Sequence, residues 1–410
     1  MIGRRSLFAL VPVLASAALA GPSRGADFPR LWGPEGDGRA AEDLAIPASG
    51  SPSTRQVWRR AIGSGYSGIA VVGARAYTGM AHQGTDHVVA FDVATGREAW
   101  RATIGPTYKG HSGSHDGPIA TPTVADGRVF LVGPHGVLVG LDAATGKELW
   151  RHDLTREYSA APPVYGFGTS PLVAGNLVVV HAGGAIAQHV AAFDAKTGAL
   201  VWSARPAEQR VYSSPILATV GGRPQVVGVA GDKVFGLDPK TGAVVFSHAL
   251  NWNEEISRSP LVLPDGSVLV SSWGEAALVK VTPNGQGFTT AEAWRTPRLK
   301  NSYSAVVHRD GMLYGFSGGF LTCVDAATGE PRWRQRTYTG SLLLAGRHLL
   351  VLGDKSGELI VVEATPEAYR ERARTPVFAA GATSITAPAL AGGRVYVRNL
   401  EEIVALEIGG

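Results

Sequence analysis

A nine-residue phrase recurs along this chain and constrains its fold more than any other feature. It is clearest at Asp142-Ala-Ala-Thr-Gly-Lys-Glu-Leu-Trp150, and related phrases begin at Asp92 (DVATGREAW), Asp194 (DAKTGALVW), Asp238 (DPKTGAVVF) and Asp325 (DAATGEPRW). An apolar, alternating run such as Val137-Leu-Val-Gly-Leu141 precedes each. The pattern predicts a β-hairpin. The Asp ends one strand, and its short carboxylate can accept backbone N–H groups in the turn. The Gly that follows, at Gly96, Gly146, Gly198, Gly242 and Gly329, tolerates positive φ and lets the chain reverse. The next strand then brings Trp100, Trp150, Trp202, Phe246 or Trp333 to a buried face. One copy would be an ordinary hairpin, but five at near-regular intervals are an internal repeat.

The phrase Ala-x-Asp-x-x-Thr-Gly-x-x-x-Trp resembles the tryptophan-docking motif of the pyrroloquinoline quinone (PQQ) type β-propeller repeats. These repeats occur in quinoprotein dehydrogenases and in BamB-type outer-membrane assembly propellers. The resemblance covers about residues 53–410 and implies an all-β fold of four-stranded antiparallel blades. It does not choose a function, because fold and chemistry separate freely.

Counting the outermost-strand aromatics gives the number of blades. They fall at Trp58, Trp100, Trp150, Trp202, Phe246, Trp294, Trp333 and Phe378, between 39 and 52 residues apart, the length of one blade each. Pro283-Asn-Gly285 replaces the full phrase before Trp294, and Glu363-Ala-Thr-Pro366 replaces it before Phe378. The last unit ends at Val404-Ala-Leu-Glu-Ile408 with no outer strand after it, while Gln56-Val-Trp58 is an outer strand with no blade before it. Eight blades are therefore expected, closed by the N-terminal strand completing the C-terminal blade. Seven are the alternative, if the degenerate unit before Phe378 is not a blade.

Before the repeats, Arg4-Arg5 precede an apolar run from Leu7 to Ala20, with a small-residue cleavage site at Ala18-Leu-Ala20. This predicts a signal peptide over residues 1–20, too short for a membrane span. The Arg pair before Ser-Leu-Phe fits a twin-arginine signal imperfectly, and an ordinary secretory signal fits as well. Export to the periplasm or beyond is expected, as a soluble protein. The only cysteine is Cys323, far from the cleavage site, so a lipid anchor is not expected and no intrachain disulfide can form. Residues 21–52 predict an irregular arm, with Trp32 packing on the propeller's outside. Lys and Arg are scattered and the net charge is +4, which argues against nucleic acid as a partner.

A second phrase marks the innermost strands: Ser67-Gly68, Thr121-Pro122, Ser170-Pro171, Ser214-Pro215, Ser259-Pro260, Ser304-Ala305 and Ala387-Pro388. Pro suits a strand start because it needs no ladder partner there. In a propeller these hydroxyls line the axial channel and are expected to face water.

The loops entering the innermost strands carry the candidate ligand site: Tyr66, His111, His115, Asp116, Tyr165, Tyr212, Trp252, Arg258, Lys300, Asn301 and Tyr303. Arg210, Glu254, Glu255, Trp273 and Glu275 lie in or near the same set. His111, His115 and Asp116 form the sharpest cluster. Their stretch is a glycine-rich loop, so spacing does not define a metal geometry, and turn capping is expected in place of a metal site. Glu254 and Glu255 are adjacent, so on extended backbone their side chains point apart and make a poor acid–base pair. The chain has no nucleophile elbow and no phosphate-cradling loop.

The quinoprotein branch of the resemblance implies PQQ, Ca²⁺ held by a Glu/Asn set, an Asp base and a vicinal Cys-Cys disulfide stacked on the cofactor. A chain with one cysteine cannot make that disulfide, and the Ca²⁺ set finds no residue-by-residue match here. No cofactor is therefore expected. The expected function is a monomeric, non-catalytic scaffold binding a protein or other cell-envelope partner. A small PQQ-dependent dehydrogenase is the alternative. Replacing Arg4 and Arg5 by Lys tests the export route by cell fractionation. A twin-arginine substrate should stay in the cytoplasm, whereas normal export of the double variant would establish the ordinary secretory route.

Overall fold

The computed structural model describes residues 26–409 apart from 48–49, 183–189, 208–211, 231, 253–255, 286, 301–302 and 338. The signal segment 1–20, Arg210, Glu254, Glu255 and Asn301 lie outside the described residues. Eight four-stranded antiparallel sheets form eight blades of a β-propeller. Blades 1 to 7 run in chain order from the innermost to the outermost strand, at residues 70–106, 123–153, 172–204, 216–249, 261–296, 307–336 and 340–376. In blade 8 the strands Ala389–Ala391, Arg394–Arg398 and Glu402–Gly409 are completed by Ser53–Ala61 from the other end of the chain. The register pairs Gln56 with Leu406 and Arg60 with Ile403, so the ring closes as the orphan strand predicts. Closure removes two sheet edges that would otherwise be open to pairing with other chains.

Every outer strand carries a β-bulge at the same place. Trp100 pairs with Ala90 and Glu98 with Phe91, leaving Ala99 as the extra residue. Leu149 and Val201 are its counterparts in blades 2 and 3. A bulge bends the strand and re-aims the next side chain. Here it carries the indole across to the following blade. The Trp58, Trp100, Trp150 and Trp202 indoles donate to the carbonyls of Val93, Ala143, Ala195 and Pro239, at 2.9 to 3.1 Å. Each ring also lies on the glycine of the next phrase. Gly146 has φ +73°, and a Cβ there would fall 2.5 Å from the Trp100 ring. Within the turn, the Asp142 carboxylate accepts the N–H groups of Ala144 and Thr145 and the Thr145 hydroxyl. These donors hold its pKa below the usual carboxylate range.

The same register corrects one docking position. In blade 7 the bulge places Ala373 opposite Val361, so Ala373 occupies the docking place, and Phe378 lies beyond the strand. The physical reason is that blade 8 offers nothing to dock on: its third and outer strands come from opposite ends of the chain and share no turn. Phe246, whose side chain has no N–H, likewise precedes blade 5, where a long hairpin, Ala276–Asn284 and Gly287–Thr296, replaces the phrase.

Arg398 reinforces the seam between blades 8 and 1. Its buried guanidinium donates to Thr78 Oγ1 and the Gly79 carbonyl (both 2.7 Å), to the carbonyls of Gly63 and Gly65 (3.2 and 3.0 Å), and to that of Asn399 (3.2 Å). Burial lowers its pKa to about 9.

The N-terminal arm differs from its expected place. Phe28 exchanges backbone hydrogen bonds with Val71 of blade 1, Pro29 accepts from Val124 of blade 2, and Gly38 and Ala40 bond to Leu344 of blade 7. The arm thus crosses the axis beneath the ring. Trp32 is buried among Ala305 and Val307 of blade 6 and Leu342 and Leu344 of blade 7, so it plugs the axis and does not pack on the outside. The central opening is too wide for the innermost strands to fill, and the arm supplies the missing apolar surface. Trp32→Ala and Trp150→Ala are each expected to cost about 3–5 kcal/mol in urea denaturation. A near-neutral Trp32→Ala would contradict the plug.

Candidate functional site

Where the innermost strands converge on the axis, three of their hydroxyls are already engaged. Thr121 Oγ1 accepts the Gly68 N–H (3.0 Å), Ser170 Oγ accepts the Thr121 N–H (2.9 Å), and Ser214 Oγ accepts the Ser170 N–H (2.8 Å). From the sequence they are expected to face water, but these three tie blades 1 to 4 together instead. Their lost hydration is replaced by bonds to the neighbouring blade.

Above the arm these strands enclose an axial cavity of about 530 Å³. Phe28, Leu31 and Trp32 form its floor, and the entering loops form its rim. The loop 107–117 leans over the mouth, where Tyr66 Oη accepts the His115 N–H (2.9 Å) and the Tyr108 hydroxyl donates to the Val164 carbonyl (3.1 Å). Tyr212 Oη accepts the Tyr165 N–H (2.7 Å). Trp273 and Tyr303 meet edge to face, 5.3 Å between centroids, and are 54% and 50% exposed.

Of the residues singled out from the sequence, Tyr66, His115, Tyr165, Tyr212 and Tyr303 line this cavity. His111 lies near the rim, its ring 6.1 Å from that of Tyr165. Asp116 serves its own loop, accepting from Lys109 Nζ (2.8 Å) and the Gly110 N–H (2.9 Å), which hold its pKa low. Among the described residues no group of three His, Cys, Asp or Glu is placed to hold a metal ion.

Trp252 and Arg258 lie elsewhere. Trp252 is buried against blades 4 and 5, donates to Glu275 Oε1 (2.6 Å) and carries Arg295 over its ring. Arg258 is buried between blades 5 and 6, donating to Ser271 Oγ (2.8 Å) and the Leu299 carbonyl (3.4 Å), and burial lowers its pKa to about 9. Lys300 is exposed and is not part of the lining. Sequence reasoning passed over Tyr108 and the whole floor. The aromatic density of the loop 107–117 was the only available sign of the first, and nothing in the sequence placed the arm on the axis.

Asp86 is a further residue the sequence did not single out. It is buried beneath the loop 107–117, where Oδ2 accepts the Tyr108 N–H (3.1 Å) and Oδ1 has no partner. Burial, with the Asp116 charge adding, raises its pKa to about 7, against the Tyr108 N–H and Lys109, which lower it. In the unfolded chain an Asp titrates near ~3.9. Between these values the folded state binds more protons, so the contribution to stability is present below about pH 4 and is lost as pH rises toward 7. Asp86→Asn should therefore reduce the drop in urea midpoint between acidic and neutral pH, and an undiminished drop would contradict this assignment.

Comparison with known proteins places this geometry. A family model described as outer membrane protein assembly factor BamB matches residues 46–161, 84–335 and 317–408. An outer membrane protein assembly factor BamB of Burkholderia pseudomallei (strain K96243) is 27% identical over 370 residues, 84% of this chain and 85% of that protein. Among solved structures, BamB from Moraxella catarrhalis superposes with a TM-score of 0.61 at 18% identity, covering 87% of this chain and 98% of that one. A quinohemoprotein alcohol dehydrogenase from Comamonas testosteroni superposes with a TM-score of 0.67 at 15% identity, covering 93% and 80%. At these identities the two structures speak to the fold alone. Among the described residues no helix is long and apolar enough to cross a membrane.

Proposed function

The chain belongs to the family of BamB-type outer membrane protein assembly factors, and from that premise we propose that it is an exported, non-catalytic scaffold of the cell envelope that works by holding a protein partner. The family match, which spans nearly the whole propeller, carries this reading. The relative from Burkholderia pseudomallei is named for outer membrane protein assembly, and a role in the same process is the natural one for this chain.

The chemistry of the axial cavity supports a role other than quinone catalysis. A quinone enzyme must neutralise a tri-anionic cofactor and place a base beside the substrate. Among the described lining residues there is no Lys, Arg, Asp or Glu. Trp252 and Arg258, which could have stacked on such a cofactor and countered its charge, are committed to the spaces between blades. The described walls therefore offer PQQ and Ca²⁺ neither a Lys or Arg countercharge nor a carboxylate.

Depleting the protein in its host should lower the amount of folded β-barrel proteins in the outer membrane, read by heat-modifiable gel mobility. The purified exported protein, titrated with PQQ and Ca²⁺, should show no stoichiometric binding and no alcohol-dependent dye reduction. Unchanged barrel levels together with micromolar PQQ binding would replace the scaffold by a small quinoprotein.

A further inference from the structure

We propose that the axial cavity is a binding site for an uncharged oligosaccharide. This goes beyond the scaffold reading and does not depend on it. The cavity is built as a blind pocket. The arm closes one end with Phe28 and Trp32, while the other end opens between exposed rings. Its volume of about 530 Å³ falls within the roughly 300–1,000 Å³ of small-molecule sites.

The lining selects the chemistry of the occupant. A charged ligand would lose hydration on entering and would need an opposite charge in the wall. Among the described lining residues only His115 could supply one. A wholly apolar ligand would strip water from lining hydroxyls such as those of Ser112 and Ser257 without replacing its hydrogen bonds. A neutral ring compound with apolar C–H faces and hydroxyl edges satisfies both kinds of surface at once. That is the chemistry of a sugar ring.

The rim is arranged for such faces. Of the nine tryptophans only Trp273 is more than half exposed, although an indole so placed gives up the apolar burial that tryptophan normally secures. It stands edge to face with Tyr303, and the two rings present adjoining apolar surfaces at the mouth. Tyr66 and Tyr212 are held by backbone N–H groups of the rim loops, so their rings are oriented before any ligand arrives. A pre-oriented platform reduces the ordering cost of binding.

The test uses the full exported chain on an array of neutral and charged glycans, followed by calorimetric titration with maltotetraose, cellotetraose and chitotetraose. Binding of a neutral glycan, with quenching of tryptophan fluorescence, is expected. Trp273→Ala should weaken it by about tenfold or more without lowering the melting temperature, because the indole is exposed. Ile385→Trp, which fills the pocket from its wall, should abolish it. Three results would overturn the proposal: no neutral glycan retained at millimolar concentration, binding confined to charged glycans or apolar peptides, or sugar binding that survives both substitutions.

Discussion

The ring is held together by indoles that cross from one blade to the turn of the next. Four short features make most crossings: a bulge that turns the outer strand, a Trp after it, a glycine that leaves room for the ring, and a carbonyl that receives the indole N–H; Trp333 reaches the Thr365 carbonyl where Glu367 stands at the glycine's position. None suffices alone. Without the bulge the side chain would stay on its own sheet, and with a Cβ on Gly146 the Trp100 ring could not lie where it does. The exceptions obey the same physics. Phe246 precedes a blade whose phrase is replaced by a long hairpin, and Ala373 precedes a blade whose turn is missing because the two ends of the chain meet there.

Closing the ring creates a second problem at the axis, where eight innermost strands leave a central space. The molecule divides that space by chemistry. At one end the arm fills it with aromatic and aliphatic surface. In the middle, hydroxyls and backbone N–H groups of successive blades satisfy one another. At the other end aromatic loops form a mouth. Among the described residues, the Arg398 guanidinium in its ring of carbonyls and Asp116 against Lys109 are held in structural bonds. The result is a cavity whose described walls are nearly free of charge, and this sets it apart chemically from a site for an anionic cofactor.

Much of this was legible in the sequence. The Asp-x-x-Thr-Gly phrase is local, so its turn chemistry and its period could be read without tertiary knowledge. An outer strand at one end and a missing one at the other made closure the economical solution. The cavity was legible only in part. Tyr66, His115, Tyr165, Tyr212 and Tyr303 sit on loops that must enter the innermost strands, and loop position follows from the repeat. Trp252 and Arg258 sit on similar segments yet turn into the spaces between blades, because side-chain direction on an irregular loop has no period to reveal it.

What the sequence determined by itself was whatever depends on neighbours along the chain: the hairpins, the repeat, the number of blades and the strand that completes the last one. Tertiary structure alone decided what depends on neighbours across the ring. It placed Trp32 in the axis, because a wide central opening must be filled and the arm is long enough to reach it. It turned the Thr121, Ser170 and Ser214 hydroxyls from water to the preceding blade's N–H groups, because innermost strands of adjacent blades come within hydrogen-bond distance only when the blades pack side by side.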